Sequence, residues 1–134
     1  MKKFILLLFA FLVTTTGDLF AQTYKYHTTD YAFKAVNEYG QWLDWSDWEP
    51  YRCLVTINVD KNLITVYSDN YIAEYDIVDN LGDSYDESSS MTTFLAVDND
   101  GDRCYVKLRS MNTGILQLYV EYSAAIWVYN LTER

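Results

Sequence analysis

The sequence predicts an all-β fold: one domain built as an antiparallel up-and-down meander of about eight strands, closed into a small barrel or a strongly curved sandwich. Three observations lead there. Aromatics make up 17% of the 134 residues, with 13 Tyr against five Gly and one Pro, a balance that suits pleated, half-buried strands. Short segments of alternating apolar and polar residues recur between clusters of Asp, Asn, Gly and Ser, and no 3.6-residue apolar period lasts long enough for a helix. The links between segments are shorter than the dozen or more residues of a parallel crossover, so consecutive strands pair antiparallel. With 50% hydrophobic and 22% charged residues, the chain can bury a core of its own.

The first element in order is a leader. Met1-Lys2-Lys3 is positive, residues 4–13 are an unbroken apolar run, and a polar stretch then leads to Phe20-Ala21-Gln22. This pattern predicts a secretory signal peptide over 1–21. Ten apolar residues are about half of a bilayer-spanning helix, so the expectation is cleavage after Ala21, with Gly17 as the alternative cut, and a β domain over 22–134. The expected location is secreted or periplasmic. Losing Lys2, Lys3 and Asp18 takes the formal charge from −9 to −10. Such a field repels phosphate backbones and anionic lipid, which excludes nucleic acid and membrane surfaces as partners. A small neutral or cationic ligand, or a protein partner, is what remains.

The strands are predicted at 24–36, 52–59, 63–68, 71–78, 91–98, 103–110, 115–122 and 126–131. In the first, Tyr24 and Tyr26 occupy even positions while Tyr31, Phe33 and Ala35 occupy odd ones, so a bulge near Thr28-Thr29-Asp30 is expected. In the second, Cys53, Val55, Ile57 and Val59 face inward. Cys104, Val106 and Leu108 do so in the sixth, with Arg103, Tyr105, Lys107 and Arg109 outward, and Leu116, Leu118, Val120 and Tyr122 do so in the seventh. The outward basic stripe is expected to pair with Glu121 or Glu74. Turns at 60–62, 69–70, 99–102 and 111–114 are rich in residues that tolerate positive φ. The longer stretch 79–90, with Asp79, Asp83, Asp86 and Glu87, reads as a solvated loop.

The chemistry-bearing residues are few. Cys53 and Cys104 share the inward face in an oxidising compartment. A bridge between them, worth about 4 kcal/mol for a loop of roughly 50 residues, and two free thiols packed as small hydrophobes both fit the sequence. Asp98-Asn99-Asp100-Gly101-Asp102 has the acidic spacing of a calcium loop, but an EF-hand begun at Asp98 needs Gly and Glu where Arg103 and Arg109 stand. A hairpin turn is the expectation, with no metal and no cofactor. His27 has no second base beside it, and no nucleophile–base pair or phosphate loop is present, so no enzyme is expected. Asn130-Leu131-Thr132 forms a glycosylation sequon.

Trp42, Trp45 and Trp48 stand out as ligand-binding candidates. Strand geometry would put Trp42 and Trp48 on one face and Trp45 on the other, whereas a helical turn would gather all three. The rings either close one end of the barrel or form an exposed surface. Asp44, Asp47 and Glu49 lie so close that burying every ring would dehydrate carboxylates, so at least one ring should be wet. Gly40-Gln41-Trp42 is similar to the Gly-x-Trp signature of lipocalins, although it follows the first predicted strand rather than opening it, and the barrel expected is lipocalin-like or calycin-like. The function expected is a secreted, non-enzymatic binding module for a small amphipathic or sugar-like ligand at an aromatic surface or barrel mouth. The alternative is an interaction or inhibitor domain that uses the tryptophan segment or edge strands. A hollow interior favours the first and a filled one the second.

Overall fold

The computed structural model describes residues 23–133, so the expected leader and its cleavage point lie outside the described residues. Within them the alternating segments become β1 (Thr23–Ala35), β2 (Glu49–Pro50), β3 (Leu54–Asn58), β4 (Leu63–Tyr67), β5 (Ile72–Tyr85), β6 (Ser89–Val97), β7 (Arg103–Met111), β8 (Leu116–Glu121) and β9 (Ala125–Glu133). They form one antiparallel sheet in the order β2-β1-β3-β4-β5-β6-β7-β8-β9, and β1 pairs again with β9. Eight strands therefore close into a barrel, which removes the exposed edges of an open sheet. The two-residue β2 is an extra strand beside Asp30 and Tyr31 within β1.

The predicted inward faces are the buried ones. Val55, Ile57, Ile64, Val66, Ile77, Phe94, Ala96, Val106, Leu108, Leu118 and Val120 are all buried, and they meet across the barrel as one cluster. At about 1.5–3 kcal/mol per large apolar side chain, this filled interior is the main source of stability.

Parity in β1 changes as expected. Its register against β9 shifts between Thr28 and Asp30, so Tyr26 and Thr28 point inward before the bulge and Tyr31 and Phe33 after it. The same place is where β1 exchanges neighbours, from β3 to the segment containing β2. Thr28, fully buried, holds the junction. Its backbone N–H donates to the Cys53 carbonyl at 2.9 Å, its Oγ1 accepts from the Cys53 N–H at 2.9 Å, and its hydroxyl donates to the Tyr51 carbonyl.

The stretch 79–90 corrects the loop expectation. It is strand for most of its length: β5 runs on to Tyr85 and β6 begins at Ser89. Register shifts between Ile77 and Asp79 and between Asn80 and Gly82 absorb the residues that spoil the alternation. Gly82 has φ +115, a conformation that L side chains rarely adopt. The remaining turn is closed by Asp86, whose Oδ1 accepts from the Ser88 and Ser89 N–H groups at 2.8 and 2.7 Å.

Candidate functional site

Three turns, at 68–71, 98–102 and 122–124, meet at one end of the barrel. The β4–β5, β6–β7 and β8–β9 hairpins all turn there, and the filled interior gives way to an open concavity of roughly 490 Å³. That volume lies within the usual range for small-ligand sites. Val66, Ala73, Tyr75 and Tyr129 line its inner part, while Tyr71, Asp98, Asp100, Asp102, Tyr122 and Trp127 also face it. The inward parity of β8 and β9 puts aromatic residues here, since Tyr122, Trp127 and Tyr129 share the inward face with Ala125 near the turn.

Closure of β9 on β1 extends the aromatic wall. Phe33 pairs with Trp127 and Tyr31 with Tyr129 in register, and the first pair stacks at 6.1 Å between ring centroids while the second lies at 6.3 Å. Trp127 meets Tyr122 edge-on at 6.1 Å, and Tyr31 meets Tyr51 edge-on at 5.9 Å. Cross-strand aromatic pairs of this kind stabilise by about 0.5–1.5 kcal/mol beyond their burial. The walls are therefore preformed and stiff.

The rim is acidic. Asp98, Asp100 and Asp102 bring carboxylate oxygens within 4.8 Å of one another. Asp98 builds the turn: its Oδ1 accepts from the Asp100 and Asp102 N–H groups, each at 2.9 Å, and its Oδ2 accepts the Tyr122 hydroxyl at 2.6 Å. The Tyr122 hydroxyl, followed by the turn amides, holds the Asp98 carboxyl below its ordinary range. Burial, followed by the hydrogen bond to Asp98, raises Tyr122 in turn. Burial also raises Tyr75 and pushes Tyr129 up to about 12, so these phenols stay neutral at physiological pH. The hairpin turn expected at 98–102 is present, and the structure adds that its three carboxylates converge.

The tryptophans singled out by sequence lie elsewhere. Trp42, Trp45 and Trp48 are 45%, 43% and 46% exposed, so none is core, and none lines the mouth. The segment is neither helix nor regular strand before β2. Trp42 forms an isolated bridge to Val36, and the Lys34 ammonium lies 5.4 Å from the Trp42 ring and 4.9 Å from the Trp45 ring. The two indoles thus converge on one cation, unlike the opposed faces expected of a strand. Trp42 instead borders a groove of roughly 680 Å³ on the outer wall, together with Leu81, Leu95, Tyr105 and Ile126.

Cys53 and Cys104 are free, buried thiols, the second of the two alternatives. Closure explains this. Cys53 directly precedes β3 and Cys104 lies in β7, four strands apart either way around a ring of eight. Eight spacings of about 4.8 Å with tilted strands give a diameter of roughly 15 Å, beyond the roughly 7 Å that a disulfide spans. Burial raises both thiols, Cys104 to about 11, which keeps them protonated and inert.

Several surface groups noted in the sequence have partners. Lys107 pairs with Glu121 at 2.9 Å, the pairing expected of the basic stripe, and the Arg109 guanidinium donates to Ser89 Oγ at 3.0 Å. His27 Nδ1 lies 3.3 Å from the Arg52 guanidinium and does not line the mouth. The sequon amide of Asn130 donates to Asp30 at 2.9 Å inside a strand paired on both sides.

Sequence reasoning missed Tyr71, Tyr75, Tyr122, Trp127 and Tyr129 as a site. A signal was present: four of the five are inward-facing aromatics close to turns that an up-and-down meander brings to one end. Comparison with protein-family models, curated proteins and solved structures finds no match for the chain.

Proposed function

We propose that this chain is a non-enzymatic binding module, exported by its leader, that holds a small ligand in the aromatic mouth of the barrel. The observation that carries the reading is the opening of roughly 490 Å³ that Tyr71, Tyr75, Tyr122, Trp127 and Tyr129 line at one end of the barrel. The interior below it is filled by Ile64, Phe94, Leu108 and Leu118, the outcome expected of an interaction domain rather than of an enclosed ligand, so the reading rests on the open mouth alone. Small-molecule sites combine such apolar walls with a few placed polar groups, and here Asp98, Asp100, Asp102 and Ser123 supply them.

A second reading, docking of a protein partner, rests on the outer groove bordered by Trp42, Leu81, Tyr105 and Ile126, because exposed aromatic anchors dominate interface energetics. One screen distinguishes the mouth from the outer groove. Small amphipathic compounds and saccharides are tested by thermal shift against the wild type, Tyr71→Ala at the mouth and Trp42→Ala at the groove. The mouth reading expects hits that lose their shift in Tyr71→Ala and keep it in Trp42→Ala. The reverse pattern, or the absence of hits, favours the groove and a protein partner.

A further inference from the structure

We infer that the ligand of this mouth is an organic cation of the quaternary-ammonium or alkylamine class, an inference that rests on the mouth being a ligand site. Tyr75 comes from β5, Trp127 and Tyr129 from β9, and Tyr71 and Tyr122 from the turns before β5 and after β8, and together they line one concavity. Aromatic faces carry negative electrostatic potential and attract ammonium groups stripped of water.

The charges at the mouth have one sign. Asp98, Asp100 and Asp102 face it, and no Lys, Arg or His does. The ion pairs among the described residues are Lys107 with Glu121 and Arg109 with Asp86, so none of the three rim carboxylates has a Lys or Arg partner there. A neutral ligand without donors would dehydrate these carboxylates with nothing in return, and one with hydroxyls would return hydrogen bonds but leave the charge uncompensated. A cation is drawn in by the rim and held by the rings.

The aromatic walls decide between an organic cation and a metal ion. A hard metal such as calcium takes six to eight oxygen ligands, whereas the inner lining of this cavity is Val66, Ala73, Tyr75 and Tyr129. Asp98 also already spends both oxygens on two turn amides and the Tyr122 hydroxyl. An alkylammonium has a methylated surface that suits the walls and a diffuse charge that needs no complete oxygen shell.

The test uses choline and tetramethylammonium as cationic probes, with 3,3-dimethylbutan-1-ol as the uncharged isostere of choline. Affinity is read by calorimetry and location by amide chemical shifts of labelled protein. The inference expects choline to perturb Tyr71, Tyr122 and Trp127 and to bind about tenfold or more tightly than the isostere. Tyr71 is 53% exposed, so Tyr71→Ala should remain folded and weaken choline about tenfold. Asp100→Asn with Asp102→Asn should weaken it several-fold, and added salt should do the same in the wild type. Equal binding of the isostere overturns the cation class while leaving the mouth a ligand site. Choline without effect on the mouth also overturns it, and the mouth reading itself falls only if the neutral amphiphiles and saccharides leave the same residues unperturbed. Calcium alone shifting residues 98–102 and excluding choline would mark the rim as a metal site and overturn the inference as well.

Discussion

Replacing Thr28 by Val tests whether one buried hydroxyl holds the junction that turns Tyr31 and Phe33 into the barrel. Valine keeps the β-branched shape and removes Oγ1. Two backbone groups then lose a partner: the Cys53 N–H, in a residue 6% exposed, and the Tyr51 carbonyl. An unsatisfied buried backbone group costs about 1–3 kcal/mol, and a partly buried one less. The sum predicted is about 2–3 kcal/mol. Thr65→Val is the control, because Thr65 in β4 is 4% exposed and makes no side-chain hydrogen bond among the described residues; the same chemical change there should stay within about 0.5 kcal/mol. Urea unfolding followed by far-ultraviolet dichroism reads both, and the corresponding fall in Tm is roughly 8–15 °C for a domain of this size. Equal effects at the two positions, or a Thr28→Val loss below about 0.5 kcal/mol, would refute the claim that this hydroxyl organises the bulge.

Three further outcomes follow from the same structure. Native protein should resist thiol alkylation at neutral pH at both Cys53 and Cys104, because burial raises both thiols; denatured protein should take up two alkyl groups by intact mass, and a mass two protons short with no uptake would reveal a bridge. Asp98, held below the ordinary carboxyl value by Tyr122 and the turn amides, contributes stability above about pH 4 that is lost as pH falls through its lower folded value. Asp98→Asn should therefore cost about 1 kcal/mol at pH 7 and unfold with a shallower acid limb, and an unchanged limb would remove Asp98 from the account. Mass spectrometry of exported protein should give Gln22 as the first residue; full-length chain in a membrane fraction would contradict the leader.

Strands were legible where the period of two runs unbroken, as in Cys104-Val106-Leu108 and Leu116-Leu118-Val120. The bulge in β1 was legible because each half of the strand keeps its own parity. β5 beyond Ile77 was not, because two register shifts erase the alternation in a stretch where Asp79, Asn80, Gly82 and Asp83 give the composition of a loop. The site was the least legible part. Trp42, Trp45 and Trp48 attract notice because they are neighbours in sequence, yet the coil that carries them packs on the outer wall, where Lys34 draws Trp42 and Trp45 together. Trp127 and Tyr71 lie far apart in the chain. They come to face one concavity only when β9 closes on β1, a non-local pairing that no local pattern announces.

Intermolecular nuclear Overhauser effects between a bound compound and the protein distinguish a ligand in the mouth from one on the tryptophan surface. With choline or the strongest hit of the thermal-shift screen, a ligand held in the mouth should give contacts to ring protons of Tyr71, Tyr122, Trp127 and Tyr129. Contacts confined to Trp42, Trp45 and Trp48 would contradict the mouth reading.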